Sequence, residues 1–258
     1  MYCKTFPGFM ISGIDQTQFI DKYVEPAGDR LLHQFGATVV IAPHPDDESL
    51  GCGGTIARLR QAGYPVHVIF VSDGSMSHPQ SKQYPADRLR QLRETEALEA
   101  LRILGVEAEA VQFMRLKDTQ VPTPDSPTFT TASRDVADRL ENIAPETVLV
   151  PWRRDPHPDH RASWHLTQAA VAQLTDPPTV VEYPIWLWEL GTNEDRPHLG
   201  EVRMQSVAID SVMALKQQAI AAHCSQVTRL IDDDPTGFYL SPDLLRFFQI
   251  PTEVFFQS

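Results

Sequence analysis

The chain of 258 residues is 42% hydrophobic and 22% charged, an ordinary globular composition with room for a large core, and no apolar run approaches the ~18 residues that a bilayer span requires. Its 22 basic and 34 acidic residues leave a formal charge of −12, which repels polyanions and argues against a nucleic-acid partner. Cys3, Cys52 and Cys224 have no paired spacing, which argues against a disulfide framework and a thiolate zinc site, and each reads as a small hydrophobe. The start of the chain breaks its apolar patch at Pro7 and Gly8 without a small-residue cleavage signal, so a cytoplasmic protein is expected.

Residues 1–36 show no strand-helix signal and read as an N-terminal extension; residues 37–258 read as a single domain. From Ala37 onward, short β-branched runs alternate with helical patterns. Strands are predicted over 37–43, 66–71, 109–113, 147–151 and 180–186, and helices over 53–61, 87–104 and 131–143. Near-continuous runs such as VVIA and VIFV suit strands covered on both faces. The order predicts a Rossmann-like three-layer α/β sandwich with a mostly parallel sheet. Beyond Glu189, a strand over 202–209, a helix begun by Asp210 and a tail punctuated by Pro235, Pro242 and Pro251 read as a C-terminal elaboration.

Chemistry concentrates in two loops. The first, His44-Pro45-Asp46-Asp47-Glu48, follows the first predicted strand and puts four ionisable groups within five residues, a crowding that calls for a counter-charge. The second, Asp155-Pro156-His157-Pro158-Asp159-His160, follows the strand over 147–151. Either loop alone reads as a helix N-terminus decorated with acids. Together, at the carboxyl ends of parallel strands, they predict a metal site; two imidazoles and a carboxylate would leave a position open for water.

The two motifs, HPDDE followed by a glycine-rich turn and later HPDH, closely resemble those of the LmbE-like (PIG-L) family of zinc-dependent N-acetylglucosaminyl deacetylases, over about residues 37–226. The resemblance implies His44, Asp47 and His160 as metal ligands, Asp46 as general base, and His157 as the group that protonates the leaving amine or stabilises the oxyanion, with Asp159 steadying it. It implies one zinc per chain, with another divalent metal such as Fe2+ open, and an amino sugar conjugate as substrate. An amidase acting on a sugar-linked thiol conjugate is equally compatible. A non-catalytic metal- or sugar-binding module is disfavoured, because Asp46 and His157 would be surplus to it.

On the helix over 87–104, Arg93 and Glu96 fall on the core-facing stripe with Leu89, Ala100 and Leu104. The family pattern from Arg93 to Gly105 implies a substrate-binding role for Arg93; an Arg93–Glu96 pair bracing a loop is the alternative. Lys216, Ala219 and His223 share a further helical face, where His223 reads as a core histidine bonded to a loop. Arg153, Arg154 and Arg161 are expected to neutralise Asp155 and Asp159, and Tyr183, Trp186 and Trp188 are expected in the core, with a sugar-stacking wall as the alternative. Gly51-x-Gly53-Gly54 fails the dinucleotide fingerprint, which would need glycine at Ile56. A homo-oligomer is compatible with the sequence.

Overall fold

Both β2 (Thr38–Ala42) and β5 (Thr147–Pro151) are buried along their whole length, as their unbroken apolar runs require of strands covered on both faces. The computed structural model describes residues 15–258; the readings made on Cys3 and on the first fourteen residues lie outside the described residues. The chain enters through α1 (Gln16–Tyr23), β1 (Glu25–Pro26) and α2 (Asp29–Phe35). After β2 follow α3 (Asp47–Gln61), β3 (Val66–Ser72), α4 (Ala86–Ile103), β4 (Val111–Leu116), α5 (Phe129–Ile143) and then β5. The second half runs through α6 (Pro158–Val171), β6 (Thr179–Tyr183), α7 (Leu187–Leu190), β7 (Arg203–Ala208), α8 (Met213–Ala222), α9 (Cys224–Val227), α10 (Pro242–Leu245) and β8 (Thr252–Gln257).

One eight-stranded sheet results, in the order β1-β7-β8-β6-β5-β2-β3-β4, parallel except where β8 runs against β6 and β7. Alternate side chains of β2 divide the core. Val39 and Ile41 pack with Val136, Leu140 and Leu166 under α5 and α6, whereas Val40 and Ala42 pack with Leu50, Ile56, Ala97 and Leu101 under α3 and α4. This is the expected three-layer sandwich. From β2 the chain winds outward through β3 to β4, then returns to β5 on β2's other side and winds on to β6. The strand order therefore reverses between β2 and β5, and ligands of open α/β sheets bind in the crevice at such a switch point.

Three features differ from the sequence reading. The tail is not wholly irregular: its last six-residue strand, β8, inserts between β6 and β7, and Pro251 sits just before it, where it removes no ladder hydrogen bond. The segment before Ala37 contributes to the same sheet and core, with β1 paired to β7 and the Phe35 ring edge-on to Phe255 at 5.3 Å. Finally, α3 begins at Asp47 and not near Gly53, so that Gly51, Gly53 and Gly54 lie inside a helix.

Those glycines read as breakers because each costs a helix interior up to about 1 kcal/mol relative to alanine. Close packing accounts for them. A Cβ on Gly51 would stand 2.4 Å from Tyr183 Cδ2, and one on Gly54 would stand 2.6 Å from Ile209 Cγ2. The Tyr183 ring cannot swing aside, because its hydroxyl donates to the Ile41 carbonyl at 2.7 Å. Gly51→Ala is therefore expected to destabilise the fold by about 1–3 kcal/mol despite its better helix propensity, read as a lower urea midpoint at unchanged slope. A higher midpoint would show that the ring yields.

Candidate metal and catalytic centre

The two motif loops leave β2 and β5 side by side, and each forms a helix N-terminus. In the second, His157 is the N-cap of α6 with Pro158 at the first helical position, and its Nδ1 accepts a hydrogen bond from the Asp159 amide at 3.2 Å. The first is unusual. Asp46 is the N-cap of α3, yet its side chain makes no capping bond, although an aspartate there ordinarily spends its carboxylate on the first-turn amides. Its backbone sits at φ 136° and ψ −28°, a region that costs a non-glycine residue roughly 1–3 kcal/mol and persists only where its surroundings enforce it.

That conformation turns two adjacent carboxylates apart. Asp47 Oδ2 lies 3.1 Å from His44 Nδ1 and 3.2 Å from His160 Nε2. Asp46 Oδ2 instead meets the Arg93 guanidinium, 3.1 Å from Nη2. Ligands on a tetrahedral ion at about 2.1 Å stand about 3.4 Å apart, and both imidazole nitrogens lie near that distance from Asp47 Oδ2. The His160 ring is fully buried, and carboxylate oxygens stand 3.2 Å from both of its nitrogens, Asp47 Oδ2 from Nε2 and Asp155 Oδ1 from Nδ1, neither placed to complete a well-directed hydrogen bond. Ligand atoms of His44, His157 and His160 also fall within 4.8 Å of one another, as do those of His44, Asp118 and Asp159. The residues fit a metal, and the protein carries a buried His/Asp group able to hold one.

Carboxylates back both predicted histidine ligands, an arrangement that fixes ring orientation in metal sites. Asp155 Oδ1 lies 3.2 Å behind His160 Nδ1, and its Oδ2 accepts from the amides of Ile185 and Trp186. Behind His44 Nε2 lie Asp159 Oδ2 at 3.3 Å and Asp118 Oδ1 at 3.4 Å. Burial opposes charge on the rings, but hydrogen bonds that the His44 ring donates to Asp118, Asp159 and Asp47 hold it well above its usual range, and Asp47 with Asp155 raises His160 to about 9. The cluster gathers positive charge, which a divalent cation supplies in place of protons. His157 behaves oppositely: burial, reinforced by the other two rings, pushes it down to about 3. Burial pushes Asp46 up to about 6, against the pull of Arg93 and with the repulsion of Asp47.

Several predicted contacts differ. Arg93 is 3% exposed and donates to the carbonyls of Gly74 (2.9 Å) and Pro45 (2.6 Å) and to Asp46. It does not pair with Glu96, whose carboxylate is taken by the Ser225 amide and hydroxyl. Only the Asp159 backbone steadies His157; its carboxylate turns to His44 and to the Thr119 amide at 2.8 Å. Arg153 and Arg154 neutralise Glu182 and Glu201, not Asp155 and Asp159. Tyr183 and Trp188 are core residues, but Trp186 is half-buried, its ring 6.4 Å from that of His157 at 28° and 5.9 Å from Phe238 at 71°.

Asp118 escaped the sequence reading. It is a single acid in a proline-rich loop, and its signal was positional: it follows the carboxyl end of β4, on the ligand-binding edge of the sheet. Asp155 was visible in the second cluster without an assigned role.

Comparison with known proteins bears on the family and the fold. The family described as PIG-L, GlcNAc-PI de-N-acetylase, matches residues 39–171, which is 133 of the 258 positions. A probable N-acetyl-alpha-D-glucosaminyl L-malate deacetylase 2 from Bacillus cereus is 27% identical over 202 residues, covering 76% of this chain and 86% of that one. Diacetylchitobiose deacetylase from Thermococcus kodakarensis is 32% identical over 138 residues, about half of each chain. A 4-oxalmesaconate hydratase from Pseudomonas putida is also similar, 27% identical over 139 residues and again about half of each chain. The crystal structure of N,N'-diacetylchitobiose deacetylase from Pyrococcus horikoshii shares the fold, with TM-score 0.61 at 22% identity over 93% of this chain and 84% of the other. With both sequence motifs inside a match that spans more than half of its length, this chain belongs to the PIG-L family.

Proposed function

We propose that this protein hydrolyses the N-acetyl group of an N-acetylglucosamine-type amino sugar conjugate, using one zinc ion held by His44, Asp47 and His160. The observation that carries the reading is the division of labour between neighbouring carboxylates: Asp47 faces two imidazoles, while Asp46 is turned out of its cap and toward Arg93. Two nitrogens and one oxygen are a zinc donor set with a position left open, and Fe2+ is the competing ion. When bound, the metal supplies Lewis-acid polarisation and renders water acidic near neutral pH.

Asp46 takes the proton of the attacking water, a task suited to a carboxylate raised toward 6. Because His157 Nδ1 accepts from the Asp159 amide and the ring stays neutral, its Nε2 carries the hydrogen. This favours His157 as a donor to the developing oxyanion over protonation of the amine. Asp46, once protonated, is left as the acid that returns a proton to the leaving nitrogen. Acetate and the free amino sugar result. Trp186, half-buried beside His157, offers a face to a sugar ring. Trp186→Ala is expected to raise KM about 2- to 10-fold at nearly unchanged kcat, since stacking of ~0.5–1.5 kcal/mol is lost from ground and transition states alike. A purely kcat effect would move Trp186 into the chemistry.

No helix among the described residues is long and apolar enough to cross a membrane. Among the described residues Cys52 and Cys224 form no disulfide, as in the reducing, cytoplasmic location we propose. The reading is tested by elemental analysis together with acetate release from N-acetylglucosamine conjugates, a thiol-conjugate amide and an unsaturated polycarboxylate being assayed beside them. One zinc per chain with acetate release is the expected result. Cleavage confined to the thiol-conjugate amide would make the protein an amidase of that class, hydration confined to the polycarboxylate a hydratase, and native iron would displace zinc.

A further inference from the structure

The strained backbone of Asp46 needs something to hold it, and its restraints trace a closed circuit through four elements. The Asp46 amide donates to Glu48 Oε2 at 3.0 Å. Glu48 Oε1 accepts from Ser49 Oγ at 2.7 Å and from His223 Nε2 at 3.0 Å. His223 terminates α8, and two residues on Ser225 donates to both oxygens of Glu96, from its amide at 2.7 Å and its hydroxyl at 2.6 Å. Glu96 lies on α4 three residues from Arg93, which returns to Asp46 Oδ2 and to the carbonyl of Pro45. No member of the circuit is more than 7% exposed.

We propose that His223 and Glu48 are positioning residues for Asp46: they pull its amide toward α8 while Arg93 holds its carboxylate from α4, and the opposed grips keep the base aimed away from Asp47. His223 spends Nε2 on the catalytic loop, and its buried Nδ1 has no partner among the described residues. The segment carrying it lies about 175 residues downstream of Glu48 and outside the matched stretch 39–171, so the C-terminal elaboration completes the site. Buried networks of this kind are specified all or none, because a half-satisfied one leaves a carboxylate stranded.

The proposal rests on the assignment of Asp46 as base, and two readouts separate the failures. His223→Ala should lower kcat for acetate release at least about 10-fold with KM within twofold and metal content unchanged, and His223→Gln, whose amide nitrogen can take the place of Nε2, should recover most of it. Ser225→Ala, a milder cut in the same circuit, should fall between and serves if His223→Ala does not fold. A crystal structure of His223→Ala, or of Ser225→Ala in that case, should show Asp46 leaving positive φ, whatever reaction the protein catalyses. A variant that keeps the Asp46 backbone unchanged, or a loss of kcat that glutamine does not relieve, would overturn the proposal. A relaxed Asp46 with wild-type turnover would instead overturn the assignment of Asp46 as base.

Discussion

Asp46→Asn is expected to lower kcat for acetate release by roughly 10²–10⁴-fold while zinc content and KM stay near wild type, the range for loss of a general base. The substitution keeps the size of the side chain and its acceptor oxygen, so the bond from Arg93 Nη2 survives. Asparagine also tolerates positive φ better than most residues, so the strained backbone at 136° is not a reason for the variant to unfold. What is removed is basicity, together with the negative charge that faces Arg93. Full activity in Asp46→Asn would mean that another group accepts the proton, and loss of zinc from it would exchange the roles of Asp46 and Asp47.

Asp47→Asn and His160→Ala are expected to fail at the earlier step. Each removes an atom from the set converging on Asp47 Oδ2, and an amide oxygen is a poorer ligand than a carboxylate. Metal affinity should fall by more than about 100-fold, beyond the 10–100-fold typical of losing only a hydrogen-bond partner behind a ligand. Excess zinc should restore part of the activity of Asp47→Asn, which still offers an oxygen, and less of that of His160→Ala, which offers nothing. Equilibrium dialysis against zinc gives the affinities directly. Wild-type affinity in both variants would remove Asp47 and His160 from the ligand set and favour the grouping of His44, Asp118 and Asp159.

The parts of the centre legible in the sequence are those where a few consecutive residues do the chemistry. His44, Asp46 and Asp47 stand in one turn after a β-branched strand, and His157 to His160 in another, so the spacing of the motifs carried their positions. Helical periodicity likewise put Arg93 and Glu96 in the interior, where both lie at 7% exposure or less. Periodicity says which way a side chain points and nothing of what it meets there. Arg93 meets Gly74, Pro45 and Asp46, and Glu96 meets Ser225, partners that chain folding alone brings near. Asp118 was hidden for the same reason.

Elsewhere a local rule was overridden by packing. Gly51 and Gly54 signal a loop by propensity, yet they occupy the middle of α3 because Tyr183 and Ile209 leave no space for a Cβ. The same stretch shows another long-range dependence: Glu253 of β8 accepts from the amides of Gly54 and Thr55 and is paired with buried Lys216 of α8 at 2.6 Å. A six-residue strand behind three prolines gives little local sign that it will lie inside the sheet.

The central claim is that this centre hydrolyses an acetamide with Asp46 as its base, and a single assay addresses it: acetate and free amine released from an N-acetylglucosamine conjugate by zinc-loaded wild type and Asp46→Asn side by side. The account predicts equimolar acetate and amine from the wild type, and a rate lower by roughly 10²–10⁴-fold from a variant that retains its zinc. Equal rates from the two proteins, or a zinc-loaded wild type that releases no acetate from such conjugates, would contradict it.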